Sequence, residues 1–332
     1  MYRVALVGCG TIGNVHAEAY ARMEDAKLVG IVDIREMHGR EKAFLLNTNW
    51  YATLEQLLAE EEVDVVDICV PTYLHRAYVE QAARAGKHVI CEKPIARTLE
   101  DAQAMIQLCE EHGVRLFIAQ VLRFFPQYRR AHELLAANAV GDVGTVRAMR
   151  GGGFPRAWND WYANVELSGT LVVDAIIHDF DFLRWCFGEV ERVYAKGLLG
   201  RDINRLDHAF VSLRFQNGVI GHVEGTWAYP SGFKTMLEVA GNKGVLEHTS
   251  GNEAPIHLSL RDNQYRSGGV AVPESPLEKD PYQLELEHFL ACLTTGDAAL
   301  VTAEDAYKAL EISLAALKSI QTGEAVALGV AK

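Results

Sequence analysis

The chain has 332 residues, 49% of them hydrophobic and 23% charged, which suits a globular protein of two domains at roughly 100–200 residues each. Its 32 basic and 44 acidic residues leave a net charge of −12. Nucleic acid or an anionic membrane is therefore a poor candidate partner, because either would need a basic face. Arg123, Arg129 and Arg130 lie close together but read as a solvated helix face.

The first strand, Tyr2 to Val7, opens the sequence, and no signal peptide is expected. Strand-like apolar runs follow at Leu28–Val32, Val65–Val70, His88–Cys91 and Arg115–Ala119. Helical patterns at Ile12–Met23, Leu54–Glu60, Leu74–Ala85 and Leu99–His112 alternate with them. Nearly all-apolar strands suit parallel pairing with both faces covered, so the alternation predicts a doubly wound α/β sheet. Gly86 and Gly113 stand just past two helix ends, where a left-handed cap is wanted.

The pattern changes near residue 122, dividing the chain into domains 1–122 and 123–332. A helix is expected from Gln127 to Ala137. Strands then dominate: Val146–Arg150, Arg192–Lys196, Phe210–Phe215, Val219–Trp227, Thr235–Ala240, Val245–His248 and Ile256–Leu260. Asn217-Gly218 and the run Gly241 to Gly244 mark hairpins, so this half should hold a large, open, mostly antiparallel sheet. Its apolar face would carry Val211, Leu213, Phe215, Val219, Val223, Leu237 and Val239. Helices at Val173–Cys186 and Pro281–Thr294 are expected to cover that face, and a last helix to run from Ala303 to Ile320. The opposite face, with Ser212, Arg214, His222, Glu224 and Glu238, is either solvated or a subunit interface.

The six cysteines (Cys9, Cys69, Cys91, Cys109, Cys186 and Cys292) sit mostly in apolar runs. No pair has metal-ligand spacing, so they read as small buried hydrophobes in a reducing compartment, with no metal. No apolar run reaches the ~20 residues needed to span a bilayer, and a cytoplasmic location is expected.

The residues that carry chemistry fall at strand ends. Gly8, Gly10 and Gly13 form a G-x-G-x-x-G turn between the first strand and the first helix, with Thr11 and Ile12 inside it. Such a turn lets backbone approach a pyrophosphate at a helix N-terminus. Asp33 ends the next strand, 20 residues after Gly13, where a carboxylate accepts hydrogen bonds from ribose hydroxyls and repels a 2′-phosphate. NAD is thus expected rather than NADP, although Arg35 could pair with a 2′-phosphate by swinging inward. Pro71, Thr72 and His75 follow another strand end. Thr72 reads as a helix N-cap and as a cofactor contact; His75 reads equally as a helix-face or a cofactor-side histidine. Glu92-Lys93-Pro94 ends a further strand, and an ammonium held there could stabilise a developing alkoxide. Asp174, His178 and Asp181 have i, i+4, i+7 spacing, which would place them on one face of an otherwise apolar helix. Histidine suits proton transfer near neutral pH, with Asp174 orienting it. A satisfied structural His–Asp pair and an Asp/His metal site are the competing readings.

Taken in this order, the glycine turn, Pro71-Thr72-x-x-His75, Ala85-Gly86-Lys87-His88-Val89, Glu92-Lys93-Pro94, Arg123-Phe124 and Asp174-x-x-x-His178-x-x-Asp181 resemble the glucose–fructose oxidoreductase/inositol dehydrogenase (Gfo/Idh/MocA) family. The resemblance spans essentially the whole chain. It implies a Rossmann domain followed by a substrate-binding and oligomerisation domain, and an NAD(P)-dependent dehydrogenase of sugars or cyclic polyols. It also implies Lys93 at the nicotinamide, His178 as acid/base with Asp174 as partner, a cis Lys93–Pro94 bond, and homodimers or homotetramers through the open sheet. Ser168-Gly169-Thr170 departs from the two or three glycines that many members carry before the histidine helix. Trp158, in an aromatic and polar segment from Arg156 to Tyr162, is either a sugar-ring platform or a loop anchor, and Arg123 is a candidate substrate contact. The expected reaction is reversible oxidation of a secondary alcohol. Three other readings stand beside it: an NAD-binding sensor without turnover, a glycosidase that uses retained NAD for transient oxidation, and a methyltransferase, which would leave Glu92-Lys93-Pro94 unexplained.

Overall fold

The computed structural model describes residues 1–199, 207–251, 257–260 and 279–329. They form two compact units. The first holds Met1–Phe124 together with Ala157–Trp161 and Lys279–Tyr307, and the second holds the remaining described residues.

In the first unit six short strands pair in parallel: β1 (Tyr2–Val7), β2 (Ala26–Val32), β3 (Asn49–Tyr51), β4 (Val65–Ile68), β5 (His88–Glu92) and β6 (Leu116–Ala119). Their order is β3-β2-β1-β4-β5-β6. Val4, Leu6, Val65, Val66, Ile90 and Ile118 are wholly buried, which is why these strands read as apolar runs without alternation. The order reverses between β1 and β4, and open α/β sheets bind ligands beyond the carboxyl ends of strands at such a reversal.

The helices between the strands are α1 (Thr11–Tyr20), α2 (Glu36–Leu45), α3 (Leu54–Glu60), α4 (His75–Arg84) and α5 (Leu99–Glu111). Thr53 and Thr98 cap α3 and α5 by accepting from the amides of Gln56 and Asp101. Gly86 and Gly113 follow α4 and α5 at positive φ, as expected. Two elements escaped the sequence reading, α2 and β3. Met37 and Phe44 of α2 are exposed while Gly39 is buried, so no apolar stripe announces the helix. A Cβ on Gly39 would lie 2.3 Å from Trp50 Cδ1; a glycine–tryptophan contact seats this helix instead.

The second unit is built on α6 (Pro126–Ala136), β7 (Val143–Gly153), α7 (Val165–Ser168), α8 (Thr170–Asp174), α9 (Ile177–Phe187), β8 (Val190–Leu198), β9 (His208–Phe215), β10 (Ile220–Thr226), β11 (Ala228–Gly241), β12 (Gly244–Thr249), β13 (His257–Leu260) and β14 (Val326–Ala327). Eight strands form one sheet, in the order β13-β12-β11-β7-β10-β9-β8-β14. All neighbours are antiparallel except β7 and β10, which run parallel. Both expected hairpins form; Gly218 turns the first at φ 93°. The seven residues assigned to the apolar face are all buried. Ile256 of the last predicted strand lies outside the described residues.

Two helix expectations need correction. The single helix expected over Val173–Cys186 is two helices. The amides of Ala175 and Ile176 both donate to Leu171 O, at 2.9 and 3.0 Å, and close α8 before α9 begins. The cause is packing on β10. A Cβ on Gly225 would lie 2.4 Å from Leu171 Cδ1 and 2.6 Å from Ile176 Cγ2. Residues five apart point away from one another on a continuous helix at 3.6 residues per turn, so the chain breaks to seat both on one glycine.

The second correction concerns α10 (Pro281–Thr295), capped by Asp280 and opened by Pro281. It was expected to cover the antiparallel sheet. Leu286, Phe289 and Leu290 instead join the core of the first unit with Val4, Tyr20, Ile90 and Phe117, and the Phe117 and Phe289 rings stack at 4.9 Å. An apolar i, i+3, i+4 stripe fits any apolar face, and its spacing names no partner. The last helix, α11 (Ala303–Thr322), forms where expected, and Ser319 Oγ near its end accepts from the Ala195 amide of β8.

Candidate active site

The glycine turn leaves β1 and enters α1, with Gly10 at the helix cap and no side chain capping it. Gly8 has φ 92°, and a Cβ there would lie 2.6 Å from Cys69 O. A Cβ on Gly13 would lie 2.0 Å from Gly8 O. Gly8 lets the turn lie against the chain leaving β4, and Gly13 lets α1 close on the turn. Gly10 differs, because a Cβ there would meet nothing within 4 Å. Its space is open at the mouth of a ten-residue helix, beside the amides of Thr11, Ile12 and Gly13, which suits a pyrophosphate approaching the N-terminus.

Asp33 follows β2 and is 5% exposed. Its carboxylate accepts from the Cys9 amide at 3.0 Å, and from Arg35 N, Nε and Nη2 at 2.9, 2.9 and 2.7 Å. Burial pushes its pKa up, but the Arg35 hydrogen bonds and the Cys9 amide outweigh this and hold it below the usual carboxylate value. Arg35 thus lies along Asp33, with its fork spent on the carboxylate.

Beyond β4, Pro71 opens a 3₁₀ turn, Thr72–Leu74, that leads into α4. Thr72 does not cap α4 as expected. It is buried inside the tight turn, and Leu74 occupies the cap position. His75 is 1% exposed and faces carbonyls on both sides: Nδ1 lies 3.0 Å from Pro94 O, and Nε2 3.0 Å from Val70 O. Both carbonyls lie within hydrogen-bond distance of the ring, and in the neutral form one N–H donates to one of them. Burial lowers the His75 pKa below the ordinary 6.5, and the surrounding carbonyls do not reverse this. A depressed histidine stabilises the fold above its unfolded pKa, and that stability is lost as pH falls toward the folded pKa. Acid titration of the melting temperature is therefore expected to show a decline setting in below pH 6.5 that His75→Gln flattens; an unchanged slope would remove His75 as its source.

At the end of β5 Glu92 is buried, and Lys93, just beyond it, is half-buried. Glu92 Oε2 accepts from the Lys93 amide at 3.0 Å, and the Lys93–Pro94 bond is cis. The glycine turn, Asp33, Thr72 and Lys93 thus all follow the carboxyl ends of β1, β2, β4 and β5 in one sheet.

In the second unit Asp174 ends α8 and His178 stands in the first turn of α9. The i, i+4, i+7 face is therefore interrupted between Asp174 and His178. Both residues are half-buried, and Asp181 is 1% exposed. Sequence reading missed the group that anchors this region. Arg150 on β7 makes a buried, bidentate pair with Asp179, Nε to Oδ2 at 2.8 Å and Nη2 to Oδ1 at 3.1 Å. It pins the first turn of α9 one residue from His178. The charged Arg150 inside a strand run was the available signal. The turn before α8 survives on fewer glycines: Gly169 and Thr170 both take left-handed backbone, at φ 72° and 65°. A β-branched residue there is strained by about 1–2 kcal/mol. Ser168 Oγ accepts from the Thr170 amide at 3.1 Å and helps hold it.

Arg123 is drawn inward, 2% exposed, with Nη1 donating to Leu300 O at 2.8 Å and lying 3.3 Å from Asp305 Oδ2. Arg129 and Arg130 lie near Glu133 on the exposed face of α6. Trp158 is 46% exposed, while its neighbour Trp161 is buried with its ring edge-on to Tyr73. The anchor in this segment is Trp161, and Trp158 is the ring left open.

The model of the oxidoreductase family with an NAD-binding Rossmann fold matches residues 2–120, and that of the GFO/IDH/MocA C-terminal domain matches residues 128–247. Myo-inositol 2-dehydrogenase of Thermotoga maritima is 31% identical over 335 residues, covering 98% of each chain. The scyllo-inositol 2-dehydrogenase (NAD(+)) of Bacillus subtilis is 28% identical over 99% of this chain and 96% of its own. Among solved structures, GenD2 from gentamicin A biosynthesis in complex with NAD superposes with a TM-score of 0.87 at 25% identity, covering 99% of this chain and 97% of that one.

Proposed function

Because the chain belongs to the Gfo/Idh/MocA family of NAD-binding oxidoreductases, we propose that it oxidises a secondary alcohol of a cyclic polyol or sugar, with NAD as acceptor. The observation that carries this reading is the set of four strand ends bearing the glycine cradle, Asp33, Thr72 and Lys93. Relatives named inositol 2-dehydrogenases support the polyol class. A dinucleotide held by the glycine turn and Asp33 would supply the hydride acceptor.

The chain's own groups hold the reactants and handle the proton. Lys93 donates a hydrogen bond to the substrate hydroxyl oxygen and stabilises the charge that grows there. His178 takes the hydroxyl proton as the C–O bond becomes a carbonyl, and Asp174 orients its ring. Trp158 offers an aromatic face to the ring of the substrate. Asp33 accepts from the adenosine ribose hydroxyls. The bidentate hold of Asp33 on Arg35 favours NAD, since Arg35 would have to break that pair to reach a 2′-phosphate. Rates of NADH and NADPH formation from a panel of inositols and aldoses test both assignments. A clear preference for NADP overturns the cofactor assignment, and silence across the panel overturns the substrate class.

The outer face of the second sheet completes the proposal as a homo-oligomer interface. Tyr194, Phe210 and Ile220 are 40%, 56% and 38% exposed on the neighbouring strands β8, β9 and β10. Phe210→Arg is expected to lower the mass measured by light scattering to that of a smaller species. An unchanged mass removes this face as the interface.

A further inference from the structure

His16 lies on α1, three residues beyond Gly13, and its ring has no exposed surface. Its Nδ1 is 2.8 Å from Asp67 Oδ2 on β4, which also accepts from Tyr20 OH at 2.9 Å. Its Nε2 lies 3.3 Å from Glu92 Oε1; that nitrogen makes no aligned hydrogen bond, and the contact is one of charge. The other carboxylate oxygen of Glu92 holds the Lys93 amide at 3.0 Å. A continuous buried path therefore runs from β4 through a ring on α1 to the backbone of Lys93.

The charges explain why the ring sits there. Burial lowers the His16 pKa, but Cys69 and Asp67, the latter by charge and by hydrogen bond, raise it well above the ordinary value. Cys69 Sγ lies 3.4 Å from Nδ1, and burial pushes its own pKa up, so at neutral pH it is a thiol. Asp67 then supplies the raising charge beside its contact with Nδ1, and Glu92 Oε1 lies 3.3 Å from the other nitrogen. Tyr282 of α10 faces the ring at 6.2 Å, and the charges of Glu92 and Glu285 both act on that phenol. A protonated ring between the Asp67 and Glu92 carboxylates would offset their mutual repulsion and favour Glu92 where it accepts from the Lys93 amide. His16, Asp67 and Cys69 also offer three ligand atoms within 4.8 Å. A metal there would need the thiol deprotonated, which its raised pKa opposes.

We propose that His16 is a positioning residue of the reaction centre: it holds Glu92 in place, and Glu92 in turn fixes the backbone from which Lys93 reaches the substrate. This rests on the role given to Lys93 above. A reacting group displaced by about 1 Å can cost roughly 10²-fold in rate, so a buried ring with no substrate contact can matter to turnover.

Two variants separate the halves of the contact. His16→Asn keeps a donor at the Nδ1 position toward Asp67 and gives up Glu92. His16→Gln puts an amide N–H near the Nε2 position on a flexible chain that can align on Glu92 Oε1, so a hydrogen bond replaces the charge contact. In NAD-saturated enzyme H16N is expected to lower kcat about tenfold or more and H16Q about threefold or less, with the NAD Kd of both within about twofold of the parent. In an E92Q background H16N should cost less than about twofold further, because coupled residues are not additive. A readout that needs no substrate is the acetylation of Lys93 by acetic anhydride, followed by peptide mass; it should change by about threefold in H16N and less in H16Q. Equal losses in H16N and H16Q, or an undiminished H16N cost in E92Q, would overturn the proposal. If the parent makes no NADH on any substrate, the dehydrogenase reading fails, and Lys93 labelling still decides this one. Should H16N fail to fold, E92Q alone decides: Lys93 labelling must change and the ¹⁵N resonance of His16 Nε2 must move, and either one staying put contradicts the proposal.

Discussion

His178→Ala is expected to lower kcat by about 10²–10⁴-fold, the range lost with a positioned acid/base. Lys93→Ala should lower it at least about tenfold, and toward 10²–10³-fold if the ammonium supplies the main stabilisation of the alkoxide. Neither should move the NAD Kd by more than about twofold, because each is proposed to act at the hydroxyl that reacts and not at the pyrophosphate. The two substitutions also differ in pH behaviour. Without the imidazole, proton removal falls to solvent, and kcat should rise with pH across the range where His178 had served. Without Lys93 the parent's own pH dependence, which His178 sets, should remain at a lower level. If either variant retains full turnover on a good substrate, the assigned mechanism is wrong.

The second large effect is a contrast within the glycine turn. Gly13→Ala would place a methyl 2.0 Å from a backbone oxygen, Gly8 O, and backbone cannot swing aside as a side chain can. Overpacking of this kind costs about 1–3 kcal/mol and sometimes more, so a melting temperature lower by roughly 5–10 °C, or failure to fold, is expected. Gly10→Ala meets no atom within 4 Å and sits at φ −71°, a backbone any residue accepts. Its melting temperature without NAD should match the parent's. Its NAD affinity should fall about tenfold or more, because the added methyl occupies the path of the pyrophosphate. A Gly10→Ala protein that binds NAD as the parent does would place the dinucleotide elsewhere.

What was legible in the sequence follows a physical line. Strands buried on both faces are apolar throughout, so β1, β2, β4, β5 and β6 could be read, as could the glycine turn and the strand-end residues that follow from the topology. The alternation of Val211, Leu213 and Phe215 likewise revealed a sheet with one covered face. What failed was whatever depends on the partner of a surface. The stripe on α10 gave no sign that its partner was Phe117 and not the antiparallel sheet. The break between α8 and α9 depends on Gly225, some fifty residues away in sequence, and α2 on a contact between Gly39 and Trp50. Spacing rules assume the element continues, and so Asp174 and His178 were placed on one helix face that the chain interrupts.

The candidate site divides the same way. Residues at strand ends were found because their positions are exceptional for their type. His16, Asp67 and the Arg150–Asp179 pair were not, because each belongs to a stretch that otherwise reads as core. His16 shares the buried stripe of α1 with Gly13, Ala17 and Tyr20, and a polar ring on such a stripe, next to a nucleotide turn, was the available signal. Buried polar groups need partners, and here the hydrogen-bonded partner is Asp67, with the glutamate of Glu92-Lys93-Pro94 facing the other nitrogen at 3.3 Å.

NADH formation from NAD, followed by absorbance across cyclic polyols and aldoses, compares the parent with His178→Ala and Lys93→Ala. Signal is expected with one class of polyol or sugar in the parent, with a large loss in both variants. Silence across the panel from a protein that binds NAD in a thermal-shift assay, or signal undiminished in the variants, would contradict the assigned mechanism.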